Sequence, residues 1–344
     1  METGRRARNR GLAASAICCA LLLLGCASQP AQQRLRLATW NIEYLLEPAV
    51  YAALRDRCVP DGGRVPGTER AIPCGIVPRL DRDAEDFAAL ARYARALDAD
   101  VLALQEVDGP GAASLILSGY DYCFTNRANV QKNGFAIRRG LPFRCEPEYT
   151  ALSLQDRVRN GVVVTLFPGT AHEMTLLNVH LKSGCPEGPL TSETDNCRML
   201  SAQVGPLEEW IDAQARAGRR FAVLGDFNRR ISRESGPARD AQGRPLNLWP
   251  EIDDGDPPGA DLTAVTLAAP FRKCISNDPY DTYIDLLVFG AELARWIVPG
   301  SLIRVTYTDA DAARYALSDH CPVGVDLRLP PLQPPRTAIS TQTK

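Results

Sequence analysis

A carboxylate and an amide, Asp226 and Asn228, stand at the end of residues 221–230, FAVLGDFNRR. The apolar run closed by Gly225 reads as a buried strand. Alternation along extended chain points Asp226 and Asn228 the same way, with Phe227 opposed. Gly, Asp and Asn are also common turn residues, so this stretch alone leaves an ordinary exit turn open. Similar polar ends recur along the chain. Asn41 follows the alternating stretch 35–40, Glu106 follows the apolar run 101–104, and His180 lies in the strand-like stretch 174–181. Taken singly, each has a plainer reading: a cap for Asn41, a solvent-facing carboxylate for Glu106, a hydrogen-bonded core histidine for His180. Asp285 interrupts the apolar stretch 281–289, where a charge is costly unless paired. The segment 317–323, LSDHCPV, offers Asp319 and His320, and His320 is the expected partner of Asp285. A carboxylate that holds an imidazole suits proton transfer near neutral pH.

These groups need a scaffold of strands whose ends meet. From Asp83 the spacing of Phe87, Leu90, Ala91, Ala94 and Leu97 is helical, with Asp81, Asp83 and Asp86 at the end where the helix dipole favours anions. A second helix places Leu200, Val204, Leu207 and Ile211 on one face, stops near Gly218 and feeds the strand at 221, which makes an αβ unit. Short strands are expected over 120–124 and 134–137, and a β-branched one over 161–167 preceded by Arg157 and Arg159. Residues 47–80 read as an insertion, and 234–260 as a loop rich in Pro, Gly and Asp. No internal repeat is apparent.

The first ten residues are arginine-rich, residues 11–24 are small and apolar, and Leu-Leu-Gly then precedes Cys26. The apolar stretch falls short of the roughly 20 residues of a membrane span and matches a secretory signal, 1–25. The Leu-Leu-Gly-Cys end resembles a bacterial lipobox. That resemblance implies a lipid on Cys26, a tether over 26–34, and residence on the cell envelope, with Ala27 pointing to the outer membrane; without lipid the protein would be secreted. Residues 329–344 read as a disordered tail. The formal net charge of −2 supplies no global basic field, so any hold on nucleic acid must come from local arginines and a metal. Of eleven cysteines, Cys18 and Cys19 fall in the signal segment and Cys26 is the expected lipid site, and the even remainder in an exported body suggests disulfides. Neighbours bracket turn-rich loops as Cys58–Cys74, Cys123–Cys145 and Cys185–Cys197, leaving Cys274–Cys321, although composition alone permits other pairings. No close Cys-x-x-Cys pair argues for zinc.

Taken in order, TWN at Asn41, LQEV at Glu106, NVHLKS at His180, GDFN at Asp226 and Asn228, YID at Asp285 and SDH at Asp319 and His320 resemble the endonuclease/exonuclease/phosphatase superfamily. The resemblance spans about residues 35–328 and implies an α/β fold, a four-layer α/β sandwich of two packed mixed β-sheets flanked by helices. It makes Glu106 the main ligand of Mg²⁺ (or Mn²⁺, with Ca²⁺ a further option), with Asn41 and Asp319 beside it. Asp226 and Asn228 would position the attacking water and the scissile phosphate, and His320 oriented by Asp285 and His180 opposite it would contact phosphate or move protons. Arg159, just ahead of its strand, is of a type to add a bidentate phosphate contact, a plain surface arginine being the other reading. One departure stands out: where pancreatic-type deoxyribonucleases carry a glutamate that orients the first histidine, this chain reads Gln131-Lys132-Asn133-Gly134.

The resemblance thus implies a monomeric, metal-dependent phosphoesterase, nuclease-like, taking nucleic acid or another phosphate ester and touching the membrane only through its lipid. The alternatives within the same fold are a phosphatase or phospholipase C-type hydrolase of small phosphates or lipid head groups, and a catalytically inactive envelope binding lipoprotein. The loops 47–80, 185–197 and 234–260 are polar, which argues against lipid substrates, and none of the expected site residues is replaced, which argues against inactivity.

Overall fold

Parallel strands need a crossover to join them, and the chain makes two such crossovers through its two long helices. The computed structural model describes residues 33–60, 70–258 and 260–331; the expected signal peptide, Cys26, most of the tether and most of the tail lie outside these. The strands are β1 (Arg34–Leu45), β2 (Val101–Val107), β3 (Tyr120–Phe124), β4 (Lys132–Arg138), β5 (Phe143–Cys145), β6 (Val162–Leu166), β7 (Met174–His180), β8 (Phe221–Asp226), β9 (Leu262–Ala264), β10 (Asp285–Gly290), β11 (Ile303–Arg304) and β12 (Val323–Arg328). Helices include α1 (Pro48–Arg55), α2 (Ala84–Leu97), α3 (Pro110–Ser114) and α4 (Asp195–Arg216). One sheet runs β11-β12-β1-β2-β4-β3 and the other β5-β6-β7-β8-β10-β9.

The two sheets share one plan that the sequence does not display as a repeat. In each, a parallel pair joined by a helix (β1-α2-β2 and β7-α4-β8) is flanked by antiparallel neighbours, β12 and β4 in one, β6 and β10 in the other. Alternation assigns the faces. Leu35 and Leu37 pack in the core between the sheets, while Ala38, Trp40 and Ile42 pack in the core that holds Leu90, Ala94 and Leu97 of α2. Leu200, Val204, Leu207 and Ile211 of α4 pack against the second sheet. The result is the four-layer α/β sandwich, with a capping box at Asp83 and Asp86 starting α2 and Thr194 capping α4.

Two strand limits differ from the sequence reading. β1 continues through Asn41 to Leu45 because its pairing with β2 extends to Asn41↔Gln105 and resumes at Leu45↔Val107. Asp285 opens β10 instead of interrupting it, since pairing with β8 starts at Asp285↔Asp226. Disulfides join Cys58 to Cys74, Cys123 to Cys145, Cys185 to Cys197 and Cys274 to Cys321. The first ties the chain just after α1 to the start of the turn Cys74–Arg79; the last ties the loop at Cys274 to the residue after His320. Among the described residues no helix is long and apolar enough to cross a membrane.

On α4, burial and the nearby Glu251 and Asp254 push Glu208 up to about 7. A carboxyl whose folded pKa is raised favours folding below its ordinary pKa, and that contribution is lost as pH rises from about 4.5 through 7. Glu208→Gln is therefore expected to raise Tm at pH 8 and to leave it little changed at pH 4.5. Equal shifts at both pH values in thermal unfolding would refute this account.

Candidate active site

The carboxyl ends of the two parallel pairs lie at the same edge of the sandwich, and their side chains meet at Asp226. His180 and Asp226 are register partners, and Asp285 lies opposite Asp226 on the other side of β8. Gly225 makes this approach possible: its φ is +141°, and a Cβ there would sit 1.9 Å from the Val179 carbonyl oxygen. Asp226 is only 1% exposed. It accepts hydrogen bonds from the Asn41 amide at 3.1 Å, the Asn228 backbone N–H at 2.7 Å and the Asn228 side chain at 3.1 Å. His180 Nε2 stands 3.5 Å and His320 Nε2 3.9 Å from its Oδ2.

Glu106 reaches the same place by breaking the strand pattern. Val101 and Ala103 face the inter-sheet core, so strict alternation would turn Glu106 toward the α2 layer. Instead the ladder shifts between Leu104 and Val107, and Glu106 takes a left-handed φ of +59°. Its Oε1 then lies 3.3 Å from the Asn41 amide nitrogen and 3.7 Å from His180 Nε2. Asp319 lines the same cleft. Burial, with the Asp319 charge adding to it, raises the Glu106 carboxyl above its usual range.

The two histidines are held in opposite states. His320 Nδ1 bonds the Asp285 carboxylate at 2.9 and 3.0 Å. Burial opposes a charge on His320, but Asp285, Asp226 and Asp319 outweigh it and raise the imidazolium well above its ordinary pKa. For His180, burial comes first and the Arg159 guanidinium adds to it, so this imidazole is pushed well below its ordinary value and stays neutral. Among the described residues its buried Nδ1 has no hydrogen-bond partner, in keeping with the missing carboxylate near Gln131. One site thus holds one charged and one neutral imidazole, an arrangement that separates acid from base roles.

Other expected residues have positioning work. Arg159 donates Nε to the His180 carbonyl at 3.2 Å and Nη2 to that of Leu181 at 2.9 Å, while also lining the cleft. Asn228 donates its amide to the Leu181 carbonyl at 3.1 Å as well as to Asp226. Four residues escaped the sequence reading. Glu43, buried beside Arg79, faces Asp319, and its carboxyl is pushed up to about 7 by burial and by that neighbour. Arg82 holds the end of β1 beyond Asn41 and the loop before Asp319 by their carbonyls. Gln105 and Asn178 bond each other at 2.7 Å beneath the site. A carboxylate two residues beyond Asn41 was the available signal for Glu43; paired amides in apolar strands give none.

Two donor sets compete for a cation. Ligand atoms of Asp226, Asp285 and His320 lie within 4.8 Å of one another. There, however, the imidazolium and Asp285 already satisfy each other. Glu106 and Asp319 offer hard carboxylate oxygens to the same cleft, beside Asn41, whose amide nitrogen faces Glu106 and Asp226 while its oxygen accepts the Glu43 backbone N–H. That chemistry fits Mg²⁺ or Mn²⁺. The surrounding cleft, about 700 Å³, is also lined by Arg127, Arg157 and Lys182.

Asp285→Asn removes the anion that charges and orients His320. Its kcat on any phosphodiester the enzyme turns over is expected to fall about 10²- to 10⁴-fold, with KM changed far less; a fall confined to KM would refute the orienting role.

Comparison with known proteins agrees with this geometry. The profile of the Endonuclease/Exonuclease/phosphatase family matches residues 38–320. TDP2 from C. elegans is 14% identical, with 87% of this chain and 77% of that one covered at a TM-score of 0.54. D. rerio TDP2 complexed with a single-strand DNA product is 16% identical, with 85% and 98% covered at a TM-score of 0.50. At these identities the likeness is one of fold. No curated protein sequence matches the chain. With the profile spanning every motif from β1 to His320, the chain belongs to the Endonuclease/Exonuclease/phosphatase family and is a hydrolase of phosphate esters.

Proposed function

We propose that this chain is a divalent-metal-dependent phosphodiesterase that cleaves nucleic acid on the cell envelope, anchored by lipid at Cys26. The observation that carries the reading is the geometry in which His180 Nε2 and His320 Nε2 flank Asp226 Oδ2 at 3.5 and 3.9 Å, in one cleft with the Glu106 and Asp319 carboxylates. Asp226, raised to about 7 by burial, stands ready to accept a proton from an attacking water. Asn41 and Asn228 hold its carboxylate in place. The His320 imidazolium, held by Asp285, donates to a non-bridging phosphate oxygen as charge grows there. As the water oxygen bonds to phosphorus, the ester P–O bond breaks and the departing oxygen takes a proton from solvent, which the open cleft admits. A metal held by Glu106 and Asp319, beside Asn41, would neutralise phosphate charge.

The substrate class rests on the cationic lining of Arg127, Arg157, Arg159 and Lys182, which suits a chain of phosphates. It gains support from the single-strand DNA product held by D. rerio TDP2. The test is cleavage of DNA and RNA oligonucleotides, sphingomyelin and inositol phosphates after EDTA treatment and repletion with Mg²⁺, Mn²⁺ or Ca²⁺. Polynucleotides are expected to be cut only with metal, and Glu106→Gln to lose about 10²- to 10³-fold. Undiminished cleavage after EDTA would remove the metal, and turnover of lipid or inositol phosphates alone would remove the nucleic acid. For the anchor, the unaltered protein is expected in the membrane pellet and Cys26→Ser in the soluble fraction. Identical fractionation of the two would sink the lipid assignment.

A further inference from the structure

We propose that a second cavity beside the catalytic cleft is a subsite for the base of the nucleotide next to the scissile phosphate, so that this base must be unpaired for cleavage. The inference rests on the nucleic-acid reading above and deepens it.

The cavity measures about 470 Å³ and shares Glu43, Arg79, Tyr280 and Asp319 with the catalytic cleft. Whatever fills it is therefore close enough to be bonded to the reacting phosphate. Its walls are Tyr280, Tyr307, Tyr315, Ile275, Pro279 and Leu317. Three of the polar groups around it are already engaged. The Tyr307 hydroxyl donates to the His320 carbonyl at 2.6 Å, and Ser318 Oγ to that of Asn41 at 2.7 Å. The Asp278 carboxylate accepts from the backbone N–H groups of Cys274 at 2.8 Å and Tyr280 at 2.9 Å. What remains is the Tyr280 ring, the apolar edges of Ile275, Pro279 and Leu317, and the rings of Tyr307 and Tyr315, which are backed by Tyr93 and by the Arg92 and Arg314 guanidinium groups; together they suit a flat group.

Charge selects which part of a nucleotide enters. Glu43 and Asp319 flank the mouth and the Arg79 guanidinium there is already paired with Glu43, so a second phosphate finds no uncommitted cation among these three and the uncharged base is the part that fits. Tyr280, 37% exposed, stands on the border of the two cavities with the Arg230 guanidinium 6.0 Å from its ring. Its loop is fastened by Cys274–Cys321 to the residue following His320, which fixes the platform relative to the catalytic imidazole. A base inside a duplex is stacked and paired and cannot enter such a pocket without leaving the helix.

The experiment compares the full chain with Ala312→Trp, which fills the cavity from its wall, and Tyr315→Ala, which removes one ring; none of these positions belongs to the catalytic set. Each cleaves, with Mg²⁺, a single-stranded oligonucleotide, the same strand with an abasic nucleoside beside the cut, and the corresponding blunt duplex. The unaltered enzyme is expected to lose about 10- to 100-fold in kcat/KM on the abasic strand and on the duplex. Both variants are expected to lose a similar factor on the normal strand and nothing further on the abasic one. Wild-type kcat/KM in both variants, or an undiminished abasic penalty in them, would overturn the subsite while leaving the nuclease standing. If the unaltered enzyme hydrolyses bis-p-nitrophenyl phosphate but no oligonucleotide, the nucleic-acid reading fails and the subsite with it.

Discussion

Removing a carboxylate from water costs several kcal/mol unless it is paired and hydrogen-bonded, and Asp226 is almost wholly removed. Its partners arrive from both sheets: Asn41 from β1, Asn228 from the turn after β8, and the two imidazoles from β7 and from the loop before β12. Neither sheet can slide against the other without stranding this charge. The same crowding of anions about Asp226 and Asp285 keeps His320 protonated. Fold and protonation pattern therefore depend on one buried group.

Directly below, a polar bridge crosses the apolar space between the sheets. Thr39 donates to Gln105 at 3.2 Å, Gln105 to Asn178 at 2.7 Å, and Asn178 to the carbonyls of Leu104 at 2.9 Å and Gly134 at 2.7 Å. All three side chains are fully buried. Leucines are indifferent to small shifts along a strand, whereas this bridge fits one register, because a displaced amide would be left unsatisfied at about 1–3 kcal/mol. It thus aligns the ends of β1, β2 and β7, where Asn41, Glu106 and His180 stand.

Much of this was legible where chemistry follows from periodicity. The apolar run before Gly225 and the helical spacing from Asp83 and from Leu200 give the two strand–helix–strand units, and the cost of an isolated Asp285 calls for the His320 that it meets. What periodicity cannot report is any residue placed by leaving the period. Glu106 is out of phase with the inward face of β2 and enters the site only through its left-handed conformation. Glu43 sits in an equally irregular stretch, and the role of Arg82 exists only once two distant segments are adjacent. The likeness of the two sheets is a matter of connectivity, which separate side-chain choices hide.

That irregularity follows from the chemistry. A strand presents every second side chain to one face, so regular strand ends cannot concentrate Glu43, Glu106, Asp226 and Asp319 around one cleft. The chain concentrates them by turning left-handed at Glu43, Tyr44, Glu106 and Asn228, with φ between +41° and +59°. Each such residue costs about 1–3 kcal/mol, and each turn also frees backbone carbonyls from the ladder. Arg82 offsets part of that cost: its buried guanidinium donates to the carbonyls of Ile42, Glu43, Tyr44, Ala316 and Leu317. The same guanidinium places positive charge behind a crowd of carboxylates without occupying the space where a phosphate would lie. Strain at the strand exits and a buried cation behind them are thus two halves of one solution to gathering like charges in a folded chain.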